Sequence, residues 1–404
     1  MILRPSYIDV LKSFIDKPQI KILTGIRRSG KSTVLQLLRQ ELLELGVNEQ
    51  QIIAINLESF AYADLLDTKQ LYRFIEEQLT PGQRSYLLLD EIQELVNWEK
   101  LVNSLQVDFD VDLYITGSNS HLLSSELATY LAGRYVEIPI YTLSFREFLD
   151  FRKHYHLDES TPSDLFLTYL RQGGFPVIHT VSYSEEAADR VIYDIYSSVI
   201  LRDTLQRYKI RDVELLERVV KYALDNIGNT FSGKNVADYF KSQQRKIDIN
   251  TVYNYLHALE GAFILHRVPR YDLKGKEILK TQEKFYVSDV SIVYATLGIR
   301  DRMIAGVLEN IVFLELRRRG YQVFVGKYGT TEIDFVAEKN NQRIYVQVAY
   351  RMENEQTIQR EFGNLLAIPD QYPKYVVTMD PFWKDTINGV RHLYISDFLL
   401  NESL

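Results

Sequence analysis

The sequence predicts an α/β protein whose first 158 residues form a parallel β-sheet covered by helices. Segments of helical pattern separate five short apolar segments, at residues 21–24, 51–57, 86–90, 113–116 and 135–141. Strands that alternate with helices form βαβ units, which build a parallel sheet with helices on both faces. A glycine-rich segment directly follows the first strand, and ligands of such sheets bind beyond the carboxyl ends of the strands. The site residues are therefore expected at that edge.

A phosphate-binding pattern follows the first predicted strand. Residues 25–32, GIRRSGKS, match G-x-x-x-x-G-K-[ST]. The glycines permit a close approach of the backbone, and the helix that begins near Ser32 directs its N–H groups at one anion. Lys31 would reach the outer phosphates, and the Ser32 hydroxyl would hold Mg²⁺. The predicted cofactors are ATP and Mg²⁺, and the predicted nucleotide-binding residues are Gly25, Arg28, Ser29, Gly30, Lys31, Ser32 and Thr33. Whether Arg27 and Arg28 face phosphate, solvent or DNA stays open.

Two acidic residues end the third strand, in the segment SYLLLDEIQ at residues 85–93. The apolar run before them places both acids at the carboxyl tip of the strand. Asp90 suits contact with Mg²⁺, and Glu91 suits polarisation of an attacking water. An acidic pair that merely ends a strand is the alternative, which the preceding phosphate loop disfavours.

The fourth strand ends in Ser118 and Asn119, in LYITGSN. A neutral polar side chain at this tip would lie between the acidic strand and the terminal phosphate. Asn119 is the candidate for orienting the water and Ser118 the second choice, while a simple turn is equally compatible with Gly-Ser-Asn. The sequence has no Asn-Lys-x-Asp segment for guanine recognition. The Glu beside the metal carboxylate favours hydrolysis over transfer to a small acceptor.

With these residues the chain resembles the AAA-type ATPases, and in particular a bacterial and archaeal group with a winged helix and a C-terminal nuclease-like domain. The resemblance extends over nearly the whole chain and is carried by TGIRRSGKST, YLLLDEIQ, ITGSNSHLLSSELATYLAGRYVEIPIYTLSFREF and GGFPV. It implies an ATPase core at 1–158, a helical lid at 159–210, a winged helix at 211–289 and a PD-(D/E)xK nuclease-like domain at 290–404.

The same resemblance makes Arg134 a candidate arginine finger or sensor. A guanidinium neutralises charge that spreads over phosphate oxygens in the transition state. The sequence does not say whether Arg134 would act in its own site or in that of a neighbour, and a surface salt bridge is an equal alternative.

Residues 213–289 predict three helices followed by two strands. The helix at 251–259 would be the recognition helix of a winged helix, and the strands at 263–269 and 284–287 would flank the wing. Basic residues exceed acidic ones by three between 267 and 284, a pattern typical of a stripe that contacts phosphates. The basic residues are Arg267, Arg270, Lys274, Lys276, Lys280 and Lys284, with Lys241, Arg245 and Lys246 nearby, and the first four are the predicted DNA contacts. A protein-docking role is the alternative.

The last part of the chain predicts a helix, three strands, a helix and a strand, the order of a PD-(D/E)xK core. Asp334 fits the first carboxylate, and Glu309 could assist it. The (D/E)-x-K position instead reads Gln347, Val348, Ala349, so one charge and the lysine are missing. We therefore expect a degenerate nuclease fold without activity. Glu332 and Glu315 are expected to be surface charges.

Composition limits the functional class. The chain has 404 residues, a net charge of −7 and no cysteine. A DNA-binding surface must then be local, and disulfides and thiolate sites are excluded. No signal peptide or membrane span is predicted, so a cytoplasmic location without membrane contact is expected. The leading hypothesis is an ATP-hydrolysing AAA-type protein that couples nucleotide state to DNA, with a homo-oligomer left open. The alternatives are a nucleotide-dependent switch for protein partners and an ATP-driven nuclease.

Overall fold

The structure is a computed structural model that describes residues 1–120, 133–157, 160–242, 247–352, 355–381 and 386–401. The chain forms two compact units. Unit 1 comprises residues 1–141 with 261–263, and unit 2 comprises residues 142–260 with 264–404.

Unit 1 contains a five-stranded parallel sheet. Its strands are β1 (Ile20–Thr24), β2 (Ile52–Asn56), β3 (Ser85–Asp90), β4 (Val111–Gly117) and β5 (Tyr135–Pro139), in the order β2-β3-β4-β1-β5. β4 pairs in parallel with both β1 and β3. The strand with Ser118 and Asn119 at its end therefore lies between the strand of the phosphate loop and the strand of the acidic pair.

Helices cover both faces of this sheet because successive strand residues point to opposite faces. α1 (Pro5–Ser13) and α2 (Lys31–Glu44) pack with Leu23, Leu88 and Tyr114 on one face. α3 (Thr68–Gln78) and α4 (Trp98–Asp108) pack on the other face with the alternate apolar residues of the strands. Every residue of β1, β3 and β4 is buried, as a covered parallel sheet requires.

Unit 2 begins with a helical segment. Its helices are α5 (Phe145–His154), α6 (Pro162–Gln172) and α7 (Glu185–Val199), and α7 continues as a π-helical turn at Ile200–Gln206. Ser144 and Glu147 form a capping box that begins α5.

Close packing explains the GGFPV segment of this unit. A Cβ atom at Gly173 would lie 1.8 Å from Asp289 Oδ1, and one at Gly174 would lie 2.3 Å from the Leu143 carbonyl oxygen. Gly174 N–H donates to Asp289 Oδ2 at 2.8 Å. The two glycines therefore let the turn after α6 contact two distant parts of the chain.

The middle of unit 2 runs helix, strand, helix, helix, strand, strand. The elements are α8 (Val213–Asp225), β6 (Thr230–Phe231), α9 (Gly233–Ser242), α10 (Ile249–Gly261), β7 (Leu265–Asp272) and β8 (Glu277–Val287). β8 pairs antiparallel with both β6 and β7. Both long strands extend further toward their connection than predicted, and β6 was not predicted.

The rest of unit 2 continues the same sheet. α11 (Ser291–Leu297) and α12 (Ile304–Arg318) precede β9 (Gln322–Tyr328), β10 (Thr331–Lys339) and β11 (Gln342–Ala349). The chain then forms α13 (Glu355–Leu366), β12 (Lys374–Thr378), β13 (Thr386–Ile387), β14 (Val390–Tyr394) and α14 (Ile395–Leu400). The sheet has nine strands in the order β13-β14-β12-β11-β10-β9-β7-β8-β6.

The predicted α/β class is confirmed by the parallel sheet of unit 1 and by the helices and mixed sheet of unit 2. β7 and β9 pair in parallel, so strands on both sides of the predicted boundary at 289 and 290 belong to one sheet. The division into four domains stays a prediction. Among the described residues no helix is long and apolar enough to cross a membrane.

Candidate nucleotide-binding site

The loop between β1 and α2 depends on two glycines with positive φ. Gly25 has φ 143° and Gly30 has φ 100°, values that favour glycine. A Cβ atom at Gly25 would lie 2.2 Å from the Ile140 carbonyl oxygen. The loop can therefore pass the chain after β5 only with glycine at this position.

Arg4 fixes the same loop from outside the motif. Its guanidinium donates to the Ser29 carbonyl at 2.9 Å and to the Tyr141 carbonyl at 3.0 Å. Arg4 is 2% exposed, so this bidentate contact is shielded from water. Arg4 was not among the predicted site residues, because a single basic residue before a helix carries no signal of a distant contact.

Lys31 lies over the loop that connects β1 and α2. Its ammonium donates to the carbonyl oxygens of Gly25 at 3.1 Å and Ile26 at 3.2 Å. Nζ also lies 3.9 Å from Glu91 Oε1. These contacts hold a buried positive charge at the end of β1. An anion that binds there can replace the carbonyl and carboxylate oxygens as the partner of the ammonium.

Ser32 and Asp90 are brought together at the carboxyl edge of the sheet. The Ser32 side chain hydrogen-bonds to Asp90, and the Thr116 hydroxyl donates to Asp90 Oδ1 at 2.5 Å. Burial raises the pKa of Asp90, and these two hydrogen bonds oppose that shift. A hydroxyl and a carboxylate side by side are the oxygen ligands that Mg²⁺ takes in proteins, so the pair fits the predicted metal site.

Glu91 lies next to this pair in an unusual backbone conformation. It has φ 55° and ψ 51°, the left-handed region, which a non-glycine residue seldom adopts without support. Its N–H donates to Thr116 Oγ1 at 2.9 Å, and the Gln93 amide donates to its carboxylate. Glu91 is 6% exposed, so its carboxylate is held close to Lys31 and largely away from bulk water.

Thr116 therefore contacts both acids through one hydroxyl, donating to Asp90 and accepting from Glu91. Thr116 was not among the predicted site residues. The sequence does show a hydroxyl residue near the end of β4. Its position next to the acids becomes apparent only when it is known that β4 is the neighbour of β3.

Ser118 and Asn119 are both fully buried at the end of β4. Within the described residues, the hydroxyls of Ser118 and of Ser29 in the loop have no hydrogen-bond partner. A buried polar atom without a hydrogen-bond partner lowers the stability of the fold. The Ser118 hydroxyl lies in the segment after β4, and the Ser29 hydroxyl lies in the segment after β1. A polar ligand at this edge would satisfy them, so the donor set fits a nucleotide phosphate.

The loop itself contains two arginines, Arg27 and Arg28. Arg27 forms an ion pair with Glu58, which follows β2. Arg28 has φ 67°. The predicted role of Arg28 in nucleotide binding stays a prediction, as does that of Thr33.

Arg134 is not brought to this site within its own chain. Ile20 N–H donates to the Arg134 carbonyl at 2.8 Å, so Arg134 lies beside the start of β1, whereas the phosphate loop follows its end. The length of β1 separates the two, roughly 15 Å at the usual rise per residue. The guanidinium donates to Asn103 Oδ1 at 3.0 Å.

The predicted nuclease-like residues meet in unit 2. Asp334 N–H donates to Gln347 Oε1 at 3.3 Å, and Asp334 Oδ2 accepts from Val348 N–H at 2.8 Å. Ala349 packs in the apolar core of this unit. The ammonium of Lys284, from β8, lies 2.7 Å from Glu309 Oε1 and 3.5 Å from Asp334 Oδ1. A lysine therefore does lie beside these carboxylates, but it comes from β8, a strand that the motif spacing does not indicate.

Glu315 is buried, contrary to the expectation of a surface charge, whereas Glu332 is partly exposed and also forms an ion pair. Glu332 lies 2.9 Å from Lys284 Nζ. Glu315 is 7% exposed and lies 2.7 Å from Arg319 Nε. Glu315 pairs with Arg319 one helical turn further along the chain, whereas tertiary packing brings Lys284 to Glu332.

The predicted basic stripe is weaker than the sequence suggests. Lys284 is buried in the cluster just described, and the Arg270 side chain is 12% exposed and lies 3.6 Å from Glu332. Arg267 is exposed and pairs with Glu260 at 3.1 Å. Lys274 and Lys276 are exposed between β7 and β8. Arg245 and Lys246 lie outside the described residues.

Comparison with known proteins agrees with the architecture of unit 1. A family model described as an AAA domain matches residues 17–149, the segment that carries the loop, the acids and all five strands. A second model, a domain of unknown function, matches residues 163–303.

Two curated relatives match most of the chain. An uncharacterized protein of Haemophilus influenzae is 38% identical over 401 residues, covering 99% of each chain. An uncharacterized protein of Methanocaldococcus jannaschii is 30% identical over 358 residues, covering 85% of this chain and 77% of that protein. This chain belongs to their family.

A solved structure has a similar fold. A Walker-type ATPase of Pyrococcus abyssi superposes with a TM-score of 0.51 at 15% identity, covering 73% of this chain and 96% of that one. At this identity the likeness concerns the fold alone. Residues 17–149 thus match an AAA domain, and this segment contains the site described above.

Proposed function

We propose that the AAA domain binds ATP with Mg²⁺ and hydrolyses it. The observation that carries this proposal is the meeting of Lys31, Ser32, Asp90 and Glu91 at one edge of the sheet. They come from two separate segments of the chain, which meet through the Ser32–Asp90 hydrogen bond and the Lys31–Glu91 ion pair. Thr116 of β4 holds the two acids in place. A loop that only turned the chain would not need a buried ammonium opposite two buried acids.

Each residue has a distinct task in this proposal. The loop N–H groups and Lys31 bind the phosphates, and Ser32 and Asp90 hold Mg²⁺. The metal ion, when bound, offsets charge on the phosphate oxygens. Glu91 orients a water and accepts its proton as the water oxygen attacks the terminal phosphorus. The bond from that phosphorus to the bridging oxygen breaks, giving ADP and phosphate. Asn119 helps to orient the water.

We further propose that nucleotide state is coupled to DNA engagement through unit 2. The support is the element order of residues 213–287, which is that of a winged helix, together with the exposed Arg267, Lys274 and Lys276. The neutralisation of Arg270 and Lys284 reduces this support. A switch that binds a protein partner is therefore the second candidate.

One experiment separates these functions. The rate of phosphate release from ATP is measured with Mg²⁺ or EDTA, with and without single-stranded, duplex and branched DNA. We expect Mg²⁺-dependent hydrolysis that Lys31→Ala abolishes, because the phosphates lose the buried cation at the end of β1. Hydrolysis that DNA does not change, together with no DNA binding, would favour the protein-partner switch. The absence of hydrolysis in the wild type would refute the ATPase proposal.

We propose that unit 2 does not cleave DNA. Gln347 brings no charge, Ala349 lies in the core, and Lys284 is held in ion pairs. Incubation with linear, circular and branched DNA in Mg²⁺ or Mn²⁺ should leave the DNA intact. Cleavage that Asp334→Ala removes would restore the ATP-driven nuclease.

A further inference from the structure

One lysine in unit 2 is surrounded by three carboxylates. Lys284 Nζ lies 2.7 Å from Glu309 Oε1, 2.9 Å from Glu332 Oε1 and 3.5 Å from Asp334 Oδ1. We call these four residues the Lys284 cluster. Its members come from β8, α12 and β10, so only the fold assembles it.

The protein holds the oxygen atoms of the cluster in place. Asp334 Oδ2 accepts from Val348 N–H at 2.8 Å, which leaves Oδ1 facing the ammonium. The Tyr286 hydroxyl donates to the same Glu309 oxygen that Lys284 contacts. The Lys284 side chain is 2% exposed. Water therefore contributes little to the solvation of this ammonium, and the carboxylates replace it.

The cluster contains three carboxyl groups and one ammonium. Burial and the nearby Glu309 raise the pKa of Asp334 to about 8, although Lys284 opposes the shift. Burial disfavours the charge on Lys284, but the surrounding carboxylates outweigh it and raise the lysine pKa well above its usual value. A single structural ion pair would need one carboxylate. Here three carboxyl groups surround one ammonium, and the raised pKa of Asp334 means that a proton reduces their negative charge when no second cation is bound.

A divalent metal ion binds several oxygen ligands of this kind, at about 2.3–2.6 Å for Ca²⁺. The cluster oxygens already lie around one point, and they would need to move inward by less than about 1 Å to reach such distances. A cavity of about 150 Å³, lined by Gly228, Arg302, Gly306 and Glu309, borders one residue of the cluster. Within the described residues, no group of three or more acidic or histidine side chains is arranged to hold a metal ion.

We propose that the Lys284 ammonium is an internal cation that occupies the position of a divalent metal ion, so that this cluster is closed to metal in the wild type and opens to metal when the ammonium is removed. The proposal does not depend on ATP hydrolysis, because every residue of the cluster lies in unit 2.

The test removes the charge and keeps the length of the side chain. Nucleotide-free, full-length Lys284→Met is compared with the wild type by calorimetric titration with CaCl₂ and by thermal unfolding in EDTA or CaCl₂. We expect Lys284→Met to unfold at a lower temperature in EDTA and to recover in CaCl₂. It should bind one Ca²⁺ per chain at least about tenfold more tightly than the wild type, because the unmatched carboxylates become ligands.

Two matched variants locate the bound ion. Lys284→Met with Asp334→Asn should lose the added Ca²⁺ binding, since one ligand charge is gone. Lys284→Met with Asp90→Asn should keep it, since Asp90 belongs to the nucleotide site.

The proposal is overturned by any of three results. The first is wild-type Ca²⁺ binding that Asp334→Asn abolishes, because metal and ammonium would then coexist. The second is a folded Lys284→Met that binds no more Ca²⁺ than the wild type. The third is a Lys284→Met that fails to fold even in CaCl₂, because a metal ion could then not replace the ammonium. If Lys284→Met folds only in CaCl₂, the proposal is supported.

Discussion

At the scale of single residues, Thr116 makes the clearest contribution to the site because its hydroxyl serves both acids. Thr116→Val keeps the shape of the side chain and removes the bonds to Asp90 Oδ1 and to Glu91 N–H. An unsatisfied buried polar group costs about 1–3 kcal/mol. We therefore expect kcat to fall by about tenfold or more, while KM for ATP changes little because the phosphate loop is intact.

Steady-state ATPase assays check this expectation, with Thr116→Ser as the control that restores the hydroxyl. Wild-type kcat in Thr116→Val would show that the acids are positioned without it. Failure of Thr116→Ser to recover activity would point to packing instead.

Glu91 is the residue on which the proposed chemistry depends. Glu91→Gln should bind ATP but hydrolyse it on the order of 100-fold or more slowly, because the water loses the group that accepts its proton. Binding is followed with a fluorescent ATP analogue and turnover by phosphate release. Glu94→Gln makes the same chemical change three residues along and should retain activity. An unchanged rate in Glu91→Gln would mean that another group is the base.

At the scale of elements, the turn after α6 contains a buried histidine. His179 is fully buried, and its Nε2 must donate to the Gly173 carbonyl at 2.9 Å, since a carbonyl only accepts. Burial lowers the pKa of His179 to about 4. Between this value and the pKa of about 6.5 in the unfolded chain, the unfolded state binds more protons, so stability falls as the pH falls.

This one group should lower the free energy of unfolding by about 2 kcal/mol between pH 7 and pH 5. Urea unfolding at the two pH values measures it. His179→Gln can still donate to Gly173 but does not titrate, so its pH difference should be smaller by that amount. An equal pH difference in both proteins would show that His179 is not the group responsible.

The β7–β8 hairpin is the element on which the DNA proposal depends. Replacing Arg267, Lys274 and Lys276 by Ala should weaken DNA binding for all sequences and flatten its salt dependence. Each lost phosphate contact reduces the slope of log K against log salt by about 0.9. Arg270 is left unchanged because it pairs with Glu332.

Fluorescence anisotropy at several salt concentrations measures this change. A control variant with Lys69, Lys100 and Arg190 replaced by Ala removes the same charge elsewhere and should keep the wild-type slope. If the two variants behave alike, the hairpin is not the DNA surface.

At the scale of the whole molecule, Arg134 raises the question of assembly. It lies at the edge of the sheet opposite its own phosphate loop, so it can serve as a finger only in the site of a neighbouring subunit. Arg134→Ala should then lower hydrolysis more than ATP binding, because its charge acts mainly in the transition state. Mixing inactive Arg134→Ala with inactive Glu91→Gln should restore part of the ATPase activity. Two variants that stay inactive together would assign Arg134 a structural role in its own subunit.

The sequence by itself determined the features that depend on local spacing. The strand, the glycine loop and the helix lie next to each other in the chain, so Gly25, Gly30, Lys31 and Ser32 could be placed from their order. The apolar run before Asp90 and Glu91 put both acids at a strand tip, and the alternation of strands and helices predicted the covered sheet. These inferences hold because each rests on residues a few positions apart.

Only the tertiary structure decided which distant residues meet. The strand order places Thr116 beside Asp90. The fold also brings Arg4 to the phosphate loop and Lys284 between three carboxylates. It places Arg134 at the end of the sheet opposite the phosphate loop. The reason is that a charged side chain has no fixed role in a sequence. Its role depends on the groups that neutralise it, and those groups lie on other elements until folding and burial bring them within a few ångströms.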